Sequence, residues 1–222
     1  MRVVAVDVGS VRTGSFAWAA VDMPGEALAG HGADPATAVD SVAEALQAGG
    51  RAVLAWEAPM AVPVPGSDEW QHLGRGRAGE GNRPWSARAG AAAMGTGLVQ
   101  AGWMLAEVGR AVPGLAVTTQ VRRWAGGAGR SSEPRLLLVE AFVSGAGKPV
   151  PTVLGQHAAD AEAAARAVAE RLAGGGETDV LCAPHRPFNL LAAGAMWAGL
   201  EIAGDELGTD VLVVRARPVG RA

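Results

Sequence analysis

Three acidic residues and one histidine have the types and positions that metal chemistry requires. Asp7 lies near the end of a Val-rich first segment, and Glu57 follows the apolar run VLAW. His157 and Asp160 lie at the start of the helical segment QHAADAEAAARAVAERL. Acids brought together in a partly apolar setting need a counter-charge, because each raises the pKa of its neighbours. A divalent cation shared by these carboxylates would supply that charge.

The elements that would position these residues follow from hydrophobic periodicity. Strands at 2–8 and 15–21 predict an opening β-hairpin in which Asp7 faces away from Val4 and Val6. The alternation of strands and helices that follows predicts the α/β class, with a mixed sheet in one domain covering residues 1–222. The further strands are expected at 51–56, 115–119, 135–143, 179–183 and 210–217, and the helices at 37–48, 86–110, 156–172 and 188–202.

The helix expected at 156–172 has two distinct sides. Glu162, Arg166 and Glu170 are spaced four apart and form a charged, solvated stripe. Asp160 lies at the edge of the opposite, Ala-rich side, and His157 projects one turn earlier on the same flank. An acid at such an edge loses water and needs a partner, so we expect Asp160 to face the strand acids.

Three short motifs resemble the RuvC-like branch of the RNase H-like superfamily. They are the D-x-G-S turn at 7–10, the E-A-P turn at 57–59 and the H-x-x-D-A pattern at 157–161. The chain is most similar to the predicted-nuclease relatives of RuvC, and the resemblance spans residues 1 to about 173. It implies a mixed five-stranded sheet with an antiparallel opening hairpin, helices on both faces, and a C-terminal extension at 177–222.

The resemblance also implies a reaction, which is hydrolysis of DNA or RNA phosphodiesters with two Mg²⁺ or Mn²⁺ ions. Asp7 would bridge both ions, Glu57 and Asp160 would each hold one, and His157 would be a ligand or a base that positions water. Glu140, expected in the fifth strand, and Ser10, in the turn after Asp7, would support the ligands from behind.

The segment 59–88 is rich in Gly, Pro and Arg and is too long for an ordinary connection. Arginines interleaved with tryptophans suit phosphate contact combined with base stacking, so a nucleic-acid-binding flap is expected here. The equally weighted alternative is a solvated loop whose tryptophans pack on the core. The candidate contacts are Arg75, Arg77, Arg83, Arg88 and Trp85, with Trp70 nearby.

Composition limits the classes of function. The 222 residues carry a formal charge of −3, so any nucleic-acid contact must be local. The uncharged stretch 89–106 is interrupted by glycines, which favours a buried helix over a membrane span.

The single cysteine and the start of the chain bear on the cellular compartment. Cys182 is expected to be a core residue. The start of the chain has no pattern typical of a signal peptide, so we expect a cytoplasmic protein.

Alternatives remain open for each residue and for the function. Asp7 could cap the hairpin turn, Glu57 could end an exposed strand, and His157 and Asp160 could belong to an ordinary first helical turn. The D-x-G-S turn also resembles the phosphate loop of actin-like kinases, although no second such loop follows. A non-catalytic nucleic-acid-binding or scaffold protein is the third reading. The nucleic-acid substrate and a possible homodimer are undecided.

Overall fold

A mixed sheet forms the centre of the protein in this computed structural model, which describes residues 1–24, 27–81, 84–126, 133–143 and 145–217. Within these ranges the strands are β1 (Arg2–Asp7), β2 (Ala17–Asp22), β3 (Ala27–Gly32), β4 (Arg51–Trp56), β5 (Ala61–Val64), β6 (Ala116–Thr118), β7 (Arg135–Phe142), β8 (Arg186–Asn189) and β9 (Val213–Arg215). The α-helices are α1 (Pro35–Gln47), α2 (Arg88–Ala111), α3 (Val121–Gly126), α4 (Gln156–Ala173) and α5 (Leu190–Trp197).

The main sheet has seven strands in the order β3-β2-β1-β4-β7-β6, with β9 beside the final part of β7. β1 to β3 are antiparallel, whereas β4, β7, β6 and β9 continue in parallel. The predicted α/β class with a mixed sheet is confirmed, but the expected number of five strands is wrong. The sequence ALAGHG of β3 is Gly-containing and mostly exposed, so it lacks the apolar alternation of a strand.

The segment 59–88 begins with a strand, so the prediction of a continuous loop or flap is wrong there. β5 pairs with β8 in a separate two-stranded antiparallel sheet, in which Pro63 lies opposite Pro187. Proline has no amide hydrogen for a ladder, which is why neither segment has the sequence pattern of a strand. A 3₁₀ turn at Ser67–His72 follows β5.

The tail differs from its prediction in two places. Residues 179–183 form no strand in the described chain, although Leu181 makes an isolated antiparallel bridge with Ala78. The helix expected at 188–202 is shorter, because β8 runs up to Asn189 and ends there. The side-chain Oδ1 of Asn189 accepts a hydrogen bond from the amide of Ala192 at 3.0 Å and so starts α5.

Helices cover both faces of the main sheet, as the sequence predicts. On one face Val4, Val6 and Leu138 pack against α1, α2 and α5. On the other face Val3 and Ala5 pack with α3 and α4. Strands with both faces buried explain the continuous apolar runs of β1, β4 and β7.

The long helix α2 contains the uncharged stretch 89–106. Its side chains Met104, Leu105 and Val108 are buried in the core, while Val99 is 73% exposed. The stretch is therefore a half-buried helix, and the expectation of a buried helix holds for one of its sides only. Among the described helices, none has the length and apolarity needed to cross a bilayer.

Candidate functional site

The register of two neighbouring strands brings the first two acids together. β1 and β4 are parallel with Val6 opposite Trp56, and the amide of Glu57 donates to the carbonyl of Val6 at 2.9 Å. Glu57 therefore lies beside Asp7 at the same edge of the sheet. Both follow the alternation of the strand residues that face α4 rather than α2.

The helix α4 supplies the third acid from above this face. Asp160 lies in its second turn, ahead of the alanines that pack on the sheet. One carboxylate oxygen of each of Asp7, Glu57 and Asp160 lies within 4.8 Å of the others. The structure thus places the three predicted acids in one cluster, called the carboxylate cluster below.

Two basic side chains contact the carboxylate cluster. His157 Nδ1 lies 2.6 Å from Asp7 Oδ2, and its side chain is half exposed. Lys148 Nζ lies 3.1 Å from Asp160 Oδ2, while Gln156 donates to the other oxygen of Asp160 at 2.6 Å. His157 was predicted at this position, whereas Lys148 was missed. The one available signal was that Lys148 is the single lysine of the chain, shortly before α4.

Glu57 is the least satisfied acid of the carboxylate cluster. Its Oε1 accepts a hydrogen bond from the amide of Val143 at 3.2 Å. Its Oε2 is buried and has no hydrogen-bond partner among the described residues. Such an oxygen is costly to bury without a partner, so the arrangement suits a bound cation or a bound proton.

The pKa values of the cluster reflect this burial. Burial raises the pKa of Asp7, and the hydrogen bond from His157 opposes that rise. Burial raises the pKa of Glu57 well above its usual range, and the negative charges of Asp7 and Asp160 add to the rise. A divalent cation at the cluster would favour the ionised forms and reverse both shifts. Three carboxylates with a free oxygen are the donor set that hard cations such as Mg²⁺ prefer.

The two residues expected to support the ligands lie elsewhere. Ser10 accepts a hydrogen bond from the amide of Thr13 at 3.3 Å and caps a short 3₁₀ turn. Glu140 is fully buried on the α2 side of the sheet, and the amide of Met60 donates to it at 2.8 Å. Its side chain thus faces away from the carboxylate cluster, which corrects the expected supporting role.

Arg77 was expected to contact nucleic acid, and the structure corrects that expectation. Its side chain is 1% exposed and forms a bidentate pair with Glu140, with nitrogen–oxygen distances of 2.7 and 2.8 Å. Glu80 binds the same guanidinium at 3.0 Å. With both acids occupying its donors, Arg77 is not available to a phosphate.

The other members of the predicted nucleic-acid-binding set lie nearer the surface. Arg75 and Arg88 are exposed, and Trp70 is 71% exposed. Trp85 is half-buried, and its indole Nε1 donates to the carbonyl of Arg75 at 2.9 Å. Arg83 lies outside the described residues.

A small pocket joins the carboxylate cluster to the beginning of α2. Glu57, Pro59, Gly90 and Arg215 are among the residues that line it. The Nε of Arg215 is buried and has no hydrogen-bond partner within the described chain. Sequence reasoning missed this arginine, because β9 is a short strand in the tail with no motif around it.

Arg123, Trp124 and Cys182 have structural surroundings and do not contact the carboxylate cluster. Arg123 is ion-paired with Asp205 and Glu206 at 2.6 and 3.1 Å, and Trp124 beside it is buried. Cys182 is buried as expected, and burial raises the pKa of its thiol, which disfavours the nucleophilic thiolate.

A scan against protein-family models finds no matching family, and searches of curated proteins and of solved structures find no match to this chain.

Proposed function

We propose that the protein is a metal-dependent phosphodiester hydrolase of the RuvC-like, RNase H-like type, acting on DNA or RNA. The observation that carries the proposal is the carboxylate cluster, in which three acids from two strands and a helix lie within 4.8 Å of one another. The buried oxygen of Glu57, which has no partner in the described chain, supports the proposal because a bound cation would satisfy it.

The proposed fold assignment has its own support. The five adjacent strands β3, β2, β1, β4 and β7 form an antiparallel hairpin followed by parallel strands. These five strands are part of a seven-stranded sheet, and their hairpin-first order supports the assignment because the resemblance implies a sheet that opens with an antiparallel hairpin. β6 and β9 then extend that sheet at the far edge of β7.

The side chains of the proposed site would have three roles, which are metal binding, proton transfer and phosphate binding. Asp7, Glu57 and Asp160 would hold two Mg²⁺ or Mn²⁺ ions, which supply a more acidic water and neutralise charge on the phosphate. His157 is half exposed and is oriented by Asp7, so it can accept or release a proton at the edge of the cluster. Arg215, in the pocket beside Glu57, has a guanidinium nitrogen free to bind a phosphate oxygen.

The decisive experiment measures cleavage of labelled four-way junctions, duplexes, hybrids and single strands in Mg²⁺ or Mn²⁺. We expect the wild type to cut at least one substrate and Asp7→Asn to cut it more than about 100-fold more slowly, because a metal ligand is lost. Asp40→Asn on the exposed side of α1 is the matched control and is expected to retain activity.

The other outcomes separate the competing functions. Cleavage that persists in Asp7→Asn contradicts the assignment of the site. Nucleic-acid binding without cleavage in either metal favours a non-catalytic binding protein. A melting temperature raised by ATP, with no cleavage, favours the actin-like reading.

A further inference from the structure

A second group of metal-binding side chains shares no residue with the carboxylate cluster. Glu69, His72 and His185 each offer one ligand atom, and these atoms lie within 4.8 Å of one another. None of the three took part in the sequence predictions. The signal present in the sequence is the E-x-x-H spacing at 69–72.

Local structure fixes all three side chains. Glu69 and His72 lie three residues apart in the turn Ser67–His72, whose backbone is kinked at Glu69. His185 directly precedes β8, whose Arg186 is paired with Val64 of β5. The two-stranded sheet therefore holds the turn after β5 against the turn before β8.

The hydrogen bonding of the two imidazoles is incomplete. His185 Nδ1 lies 3.4 Å from Glu69 Oε2, but His185 Nε2 is buried without a partner in the described residues. His72 Nδ1 is likewise buried and unpartnered in the ranges that the structure describes. The His185 side chain is 4% exposed, and the two rings lie with centroids 5.3 Å apart. Buried ring nitrogens in native proteins nearly always have a partner, so an unpartnered nitrogen on each of two adjacent imidazoles suits a metal ligand.

We propose that Glu69, His72 and His185 form a site for a divalent transition metal of the Zn²⁺ class. Two imidazoles and one carboxylate are a donor set that such metals take with a fourth position open to water. Mg²⁺ prefers oxygen donors, so the two clusters select different ions. The bound metal would join the 59–88 segment to the C-terminal extension, which are the two parts of the chain outside the core of the sequence resemblance.

The test uses the full chain, stripped with a chelator and dialysed against Zn²⁺ in the presence of excess Mg²⁺ to occupy the carboxylate cluster. Elemental analysis is expected to find one equivalent of zinc in the wild type and in Asp7→Asn. His72→Ala and Glu69→Gln are expected to lose it, whereas His31→Ala, an exposed histidine on β3, keeps it. Co²⁺ titration adds a spectroscopic signature of nitrogen ligation.

A second measurement distinguishes the loss of a zinc ligand from misfolding of the variant. Limited proteolysis within 65–81 is expected to slow when Zn²⁺ is added to the wild type and to be unchanged by Zn²⁺ in a folded His72→Ala. Zinc that stays in His72→Ala but leaves Asp7→Asn overturns the proposal, as does a wild type that retains no zinc. Neither readout uses cleavage, so the outcome is separate from that of the nuclease proposal.

Discussion

The surroundings of the Glu57 side chain favour the protonated, neutral form of its carboxyl group. One oxygen is bonded to the amide of Val143, and the other is buried without a partner in the described part of the chain. Asp7 and Asp160 add two negative charges nearby. In the absence of metal, ionised Glu57 therefore destabilises the folded protein.

Glu57→Gln is expected to stabilise the metal-free protein at neutral pH, because the amide removes a buried negative charge that lies beside Asp7 and Asp160. The folded pKa of Glu57 lies above the unfolded one, so the folded state binds more protons. The free energy of unfolding of the wild type must then fall as pH rises from the unfolded pKa through the folded pKa. Urea denaturation in a chelator across this range measures the effect.

The matched control for this measurement is Glu170→Gln, which changes an exposed acid on α4 and should leave the pH profile unchanged. Addition of Mg²⁺ should stabilise the wild type and have little effect on Glu57→Gln. A metal-free Glu57→Gln protein less stable than the wild type at neutral pH would contradict this account.

Sequence reasoning at the level of single residues located the three acids and His157, because their elements have strong periodicity. It did not locate Lys148, which lies in a loop, or Arg215, which lies in a predicted strand but belongs to no motif that points to the site. It assigned Arg77 to the surface because its partner Glu140 is 63 residues away and pairs with it through tertiary packing alone.

At the level of elements, Arg77 connects the 59–88 segment to the main sheet. Its guanidinium binds Glu140 of β7 and Glu80 at once and also donates to the carbonyl of Ala61 in β5 at 3.0 Å. Burial lowers the pKa of Arg77, but the negative charges of Glu140 and Glu80 outweigh burial and raise that pKa above its usual range. The positive charge of Arg77 in turn opposes the rise that burial imposes on the pKa of Glu140. This network fixes the segment on the α2 side of the sheet.

Arg77→Met is expected to lower the free energy of unfolding by about 3–5 kcal/mol, because it leaves two buried acids without their cation. Combining it with Glu140→Leu and Glu80→Gln should recover part of the loss. Arg75→Met, at an exposed position two residues earlier, should change stability by less than about 0.5 kcal/mol. Urea denaturation measures the free energies of unfolding. If Arg77→Met and Arg75→Met lose the same amount of stability, the buried ion-pair network is not the cause of the loss in Arg77→Met.

The elements that sequence patterns missed share a physical cause. β3 is Gly-containing and exposed, while β5 and β8 each contain a proline, so none has the apolar alternation of a half-buried strand. Their pairing is decided by long-range contacts. By contrast, β1, β4, β7 and α4 have apolar patterns that their burial explains, and these elements were expected at nearly the observed positions.

On the scale of the whole molecule, the net charge of −3 means that the protein as a whole does not attract polyanions. A nucleic acid would have to bind through local arginines around the beginning of α2. Arg75 and Arg88 are the exposed members of the predicted set that the structure describes there.

Arg75→Gln and Arg88→Gln are each expected to weaken binding of nucleic acid without regard to sequence. Each should also lower the slope of log affinity against log salt by about 0.7–0.9, because one phosphate contact is lost. Fluorescence anisotropy across a salt series measures both effects. Arg110→Gln removes an exposed arginine at the opposite end of α2, and a reduction of the slope equal to that of Arg88→Gln would argue against this binding surface.

The sequence predicted a C-terminal extension at 177–222 within a single domain, and the structure packs β9 and α5 of this part against the main sheet. β9 joins β7, and the amide of Asp179 donates to the carbonyl of Val213 at 2.8 Å. β8 joins β5 in the same region. Pairing between distant segments has no local sequence signal, so the sequence could not predict that strands of the C-terminal extension pair with β5 and β7.

The ammonium of Lys148 gives the carboxylate cluster a cation that the chain itself carries. Since Lys148 contacts Asp160, a metal ion entering there exchanges with a tethered counter-ion instead of filling an uncompensated site. Displacing the ammonium from Asp160 opposes the first binding step of the metal ion. Occupancy of the cluster by metal and contact of Lys148 with Asp160 are then expected to exclude each other.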